Sequence, residues 1–134
     1  MAYFSQEMKK AIEPKIKEIC KKYGIKARLG VRHHSTVVLN IKSGKIDFIN
    51  NFNETRTTRF NAVSEYVREN YIDVNVYHFN SHFTGKAKDF LNEVYKIMNT
   101  GNHDNSNIQI DYFDVGFYVD INIGKWDTPY IFTK

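Results

Sequence analysis

Apolar residues recur along this chain first with the period of a helix and then with that of a strand. After Ser5, a good helix cap, Met8, Ile12, Ile16, Ile19 and Cys20 fall on one stripe, and Gly24 stands where a left-handed terminating residue is wanted. The stripe predicts a helix to about Tyr23. Pro14 lies inside it and is expected to kink it or divide it after Glu13, making the first ten residues a separate short helix. From Ile25 the period becomes two. Ala27, Leu29 and Val31 alternate with polar residues or glycine, and Val37, Leu39 and Ile41 repeat the pattern beyond an Arg32–Ser35 corner. An antiparallel hairpin follows, with a Ser43-Gly44 turn leading to a third strand over Lys45 to Ile49.

The second half is read the same way. Asn50 to Arg56 reads as a polar loop, and Thr57 or Thr58 as the cap of a short helix carrying Phe60, Val63 and Val67 inward. Asp73 to Phe79 alternates as a strand. Thr84 stands as cap before the stripe Ala87, Phe90, Leu91, Val94 and Met98, with Gly101 as its end. A loop over Asn102–Asn107 precedes strands near Phe117–Ile123 and Tyr130–Thr133. These elements predict one α+β domain spanning residues 1–134: a mostly antiparallel sheet packed against two or three helices.

Composition narrows the function classes. The chain has 10 Phe, 9 Tyr and 1 Trp, more aromatic surface than a core of this size absorbs, which fits a stacking or interface surface. Cys20 is the only cysteine, so an internal disulfide and a cysteine-based zinc cluster are excluded; on the apolar stripe it reads as a buried, inert thiol. Neither a signal-peptide core nor a membrane-length apolar run is legible, so a reducing cytoplasm is the expected location. Residues 1–34 carry a net charge of +6 and residues 101–134 a net of −3, a polarity unlike that of a uniformly acidic DNA mimic.

Candidate chemistry is sparse. His78 and His82 are four apart, and His103 with Asp104 follows the helix, a weak metal constellation without the HExxH pattern. Thr84-Gly85-Lys86 resembles part of a phosphate loop, but Asn80 replaces the first required glycine and Ala87 the hydroxyl residue, so P-loop hydrolysis is excluded. Lys86 and Lys88 beside a helix start keep phosphate contact open. Arg32, His33 and His34 form a basic corner suited to a phosphate, and either histidine has the chemistry of a general acid or base. Asp104, Asp111, Asp114, Asp120 and Asp127 read as decoration of a solvated face. Tyr77 and Trp126 are stacking or anchoring candidates. No nucleophile elbow, dinucleotide fingerprint or RNA-motif signature is present.

The segments VRHHSTVVLNIKSGKIDF, HFTGKAKDFL, GNHDNS and DYFDVGFYVDINIGKW resemble the large polyvalent protein-associated domains, a family of small phage and mobile-element proteins that also stand alone. The resemblance spans most of the chain and is weakest over Asn50 to Val74. It implies a product of invading DNA that acts against host defence, and brings no transferable chemistry. Together with the residues, it leads to the expectation of a non-enzymatic binding protein without a cofactor. Such a protein would take a host defence protein or a small anionic nucleotide through Arg32, His33, His34, Tyr77, Lys86, Lys88 and Trp126, with a homodimer as the expected closed form. The alternatives are a nucleic-acid-binding accessory domain using the basic amino-terminal half, and a histidine-dependent metal or hydrolase site. No membrane partner is expected.

Overall fold

Helix α1 runs unbroken from Gln6 to Tyr23 in the computed structural model, which describes residues 3–60, 71–102, 116–125 and 127–133, the side chains of residues 56–60 excepted. Its start is a capping box: Oγ of Ser5 accepts from the Met8 amide at 3.1 Å, and Sδ of Met8 accepts from the Ser5 amide at 3.5 Å. Gly24 closes it at φ 68°, with its N–H reaching back to the last-turn carbonyls. Pro14 neither divides nor ends the helix. It lies on the exposed side, as does Lys10, whose carbonyl loses its N–H partner to the proline and is there open to water.

The hairpin forms as the alternation requires. Strand β1 (Ile25–Arg32) pairs antiparallel with β2 (Thr36–Gly44), Leu39 opposite Leu29 and Val37 opposite Val31. The next segment departs from the expectation. Ser43 and Gly44 belong to β2, and the third strand of a meander is replaced by helix α2 (Phe48–Phe60), which takes in the stretch expected to be a polar loop. The Asp47 carboxylate accepts from the Asn50 amide at 3.2 Å and caps its start. Phe48 is fully buried, and its ring meets Phe83, Phe90 and Tyr130 at 5.4–6.2 Å. A helix with a mostly polar sequence is thus anchored by Phe48, with Ile49 and Phe52 packed against the core. Phe60 belongs to α2; Val63 and Val67 lie outside the described residues.

Strand β3 is short (Ile72–Val74), and Phe79 opens helix α3 (Phe79–His82) instead of ending a strand. Helix α4 (Gly85–Met98) buries Ala87, Phe90, Leu91, Val94 and Met98, the full predicted stripe, and stops at Asn99 ahead of Gly101. Strands β4 (Tyr118–Ile123) and β5 (Ile131–Phe132) complete the sheet.

The strand order is β1-β2-β4-β3, with β5 beside the end of β2. β1 and β2 run antiparallel, as do β3 and β4, but β2 runs parallel to β4 and to β5, so the sheet is mixed and not purely antiparallel. Four helices accompany it among the described residues, one more than expected at most. Val37, Leu39 and Ile41 face Val119, Ile121 and Ile123 across the parallel pairing and form the floor of the core. α1 packs on β1 and on α4. The rings of Tyr23 and Phe90 meet edge to face at 5.4 Å, and a hydrogen bond from Tyr23 to Glu93 ties the two helices together. That bond raises the Tyr23 phenol to about 12 and lowers the Glu93 carboxyl. No helix among the described residues is long and apolar enough to cross a membrane.

Candidate functional site

The corner between β1 and β2 is built in an uncommon way. His33 and His34 both have positive φ, 53° and 55°, and the Ser35 amide bonds the Arg32 carbonyl at 3.2 Å, the arrangement of a hairpin turn that usually takes Asn-Gly. The carbonyl of His34 accepts from the Phe4 amide at 2.7 Å, and Tyr3 donates to the Gly116 carbonyl at 2.8 Å. These bonds pin the amino-terminal segment, letting the ring of Phe4 pack against Phe117 at 4.8 Å. The corner therefore has a structural task. Its imidazoles are exposed, whereas Arg32 lines a cleft.

Arg32 ends β1, and in the register Arg32, Thr36 and Tyr118 lie side by side across three strands. Asp120, two residues along β4 on the same face, is ion-paired with Arg32. Opposite this edge stands the carboxyl end of α4, with Tyr95 in its last turn and Asn99 as its cap. The turn after β3 supplies Tyr77. The Asn75 side chain accepts from its amide at 3.0 Å, and the ring is 81% exposed. These groups surround a cleft of about 530 Å³, a size suited to a small organic ligand.

One wall of the cleft is a chain of carboxamides. Nδ2 of Asn99 donates to the Tyr95 carbonyl at 3.0 Å, and Nδ2 of Asn102 donates to Oδ1 of Asn99 at 2.9 Å. Asn102 also takes both backbone groups of Phe117, donating to its carbonyl at 3.0 Å and accepting from its amide at 2.9 Å. It thereby acts as a one-residue strand that sets the entry of β4. The wall is stiff because its polar groups satisfy one another.

The candidates named from sequence divide clearly. Arg32 and Tyr77, 45 positions apart, meet in the cleft. Lys86 and Lys88 sit at the other end of α4, about three helical turns from Asn99. The Thr84 side chain makes no cap bond. Its Oγ1 accepts from Nδ2 of Asn51 at 3.1 Å, and its amide donates to Oδ1 of Asn51 at 2.9 Å, so the pair joins α4 to α2. Trp126, His103, Asp104, Asp111 and Asp114 lie outside the described residues. His78 is exposed ahead of α3, and His82 packs on the Phe52 ring at 5.7 Å. Among the described residues no three His, Cys, Asp or Glu side chains are grouped to hold a metal. Cys20 is 7% exposed, and burial pushes its thiol up to about 11, which keeps it protonated and unreactive.

Sequence reasoning missed Tyr95, Tyr118, Asn99 and Asn102. The outward position of Tyr118 in an alternating strand was a usable signal. The two asparagines offered none, because Asn102 takes its role from Phe117, 15 residues later, and Asn99 is bonded to Asn102. Comparison with protein-family models, with curated proteins and with solved structures finds no match to this chain.

Proposed function

We propose that the protein is a binding protein that captures a small anionic ring-bearing molecule, a nucleotide by its chemistry, in the cleft beside Arg32. The observation that carries this reading is the convergence of one guanidinium with the three tyrosines Tyr77, Tyr95 and Tyr118 around that cleft. Guanidinium N–H groups hold phosphate oxygens in bidentate fashion, and tyrosine faces stack on a base while the phenols remain free to hydrogen-bond. The cleft is also electrically polar. Arg32 stands at one side, and the carboxyl end of α4, with its partial negative charge, stands at the other. A phosphate is therefore favoured beside Arg32, and a base or sugar beside Asn99. Asp120 holds Arg32 in place, and an incoming phosphate competes with it for part of the fork.

The resemblance to phage and mobile-element proteins gives such capture a purpose: withdrawing a nucleotide signal from a host's defence. Isothermal titration with mono-, di- and cyclic dinucleotides tests the reading. Binding that weakens roughly tenfold or more, ~1.4 kcal/mol, in Arg32→Gln and in Tyr77→Ala supports it. If millimolar nucleotide gives neither heat nor a shift in melting temperature, the reading is wrong.

A further inference from the structure

Strand alternation turns a second face of the sheet away from the apolar floor of the core, and its side chains come from both ends of the chain. Arg28, Asn40, Asn122 and Asp73 form one row across four strands in register. Lys26 and Arg32 lie on the same face of β1, Lys42 follows Asn40 on β2, and Lys125 follows β4. Three shallow grooves cross this face, and Lys125 lines all of them, joined by Asn40 in two and by Asn122 in two.

Five cations, Lys26, Arg28, Arg32, Lys42 and Lys125, thus face two carboxylates, Asp73 and Asp120, and Asp120 is already committed to Arg32. Among the described residues no ion pair engages Lys26, Arg28, Lys42 or Lys125. Between them, Nδ2 of Asn122 donates to Oδ1 of Asn40 at 3.2 Å. That bond leaves the remaining lone pairs of Asn122 Oδ1 and the N–H groups of Asn40 Nδ2 to face the groove as an acceptor and a donor.

We infer that this face is a docking surface for a single-stranded nucleic acid, one that adjoins the cleft at Arg32 and Asp120 and does not depend on a ligand bound there. The charge is complementary to a phosphate backbone. Lys26 and Arg28, two residues apart along β1, stand roughly 6.7 Å apart, and Lys42 lies one strand over, close enough for consecutive phosphates to be met together. The central carboxamide pair suits the edge of an unpaired base, which a duplex would hide. The sequence alone points to the amino-terminal basic run on α1, but this face also recruits Lys125 from the acidic end of the chain.

The test is fluorescence anisotropy of labelled 12-nucleotide RNA and DNA strands with the full chain, over a range of salt. Binding is expected with a log–log salt slope of about −3, as for four phosphates neutralised on a single strand. Lys42→Gln/Lys125→Gln is expected to weaken it tenfold or more, while Lys10→Gln/Lys15→Gln, the same charge change on the exposed side of α1, changes it less than twofold. Equal losses in the two pairs overturn the proposal, as does the absence of binding at 50 mM salt. Tighter binding of the matching duplex, or equally tight binding of polyglutamate, also overturns it. Mononucleotide binding in the cleft is read separately: Lys42→Gln/Lys125→Gln leaves it unchanged, so the failure of one site does not pass for the failure of the other.

Discussion

The two faces of the central sheet are made by the same strands and obey different rules. On the inner face Val37, Leu39, Ile41, Val119, Ile121 and Ile123 are buried and interlocked with α4. On the outer face Thr36 and Val38 are buried at one end, while Asn40, Lys42, Tyr118, Asp120 and Asn122 are exposed or half-buried. Packing fixes the identity of the inner residues through their volume, since an interior at crystal-like density has no spare room. The outer residues are free of that demand. Their arrangement of charge and amide groups is available for recognition, and a loss there is felt in binding before it is felt in stability.

Substitution should separate the faces sharply. Phe90, fully buried between Tyr23 and Phe48, is expected to cost about 3–5 kcal/mol on change to alanine, whereas Asn122→Ala on the outer face should cost less than about 1 kcal/mol. Urea denaturation of both variants measures the contrast, and similar losses would remove the distinction. Asn102 crosses the boundary between the two regimes. Asn102→Ala strands the amide and carbonyl of Phe117 and should destabilise by about 1–3 kcal/mol while also weakening any nucleotide in the cleft. Normal ligand affinity in a destabilised Asn102→Ala protein would show that the wall is not part of the site.

A smaller effect sharpens the reading of Arg32. Because Asp120 competes for the guanidinium, Asp120→Asn should tighten a bound anion several-fold in titration, with a stability change below about 1 kcal/mol, as for an exposed pair. Weaker anion binding in that variant would mean that Asp120 orients Arg32 more than it neutralises it. The core thiol adds a dependence on pH. Its pKa is raised on folding from 9.0 to about 11, so the folded state keeps a proton that the unfolded state gives up. The contribution is complete below pH 9 and is lost as pH rises from about 9 to about 11. Melting temperatures over this range should fall less steeply in Cys20→Ala than in the parent, and identical slopes would exclude the thiol as the source.

Legibility followed the range of the interactions. The stripes of α1 and α4 and the alternation of β1, β2 and β4 could be read directly, because each residue's environment is set by neighbours two to four positions away. Helix α2 could not. NNFNETR has the composition of a loop, and what makes it helical is the seating of Phe48 and Phe52 against Phe83, contacts more than 30 residues distant. Pro14 erred in the other direction, since a local rule for helix breaking gave way on a solvated helix face. Thr84 was placed correctly as the residue before α4, but its side chain belongs to Asn51.

From sequence alone came the α+β class, the main core stripes, the buried thiol and the candidacy of Arg32 and Tyr77. Tertiary structure alone decided that β2 and β4 run parallel, that Arg32 and Tyr77 share a cleft while Lys86 and Lys88 do not, and that Lys125 stands over Asn40 and Asn122. The reason is physical. Periodicity records which side of an element is dry, but the partner it packs against is chosen by the free energy of the whole core, and no short window of sequence contains that sum.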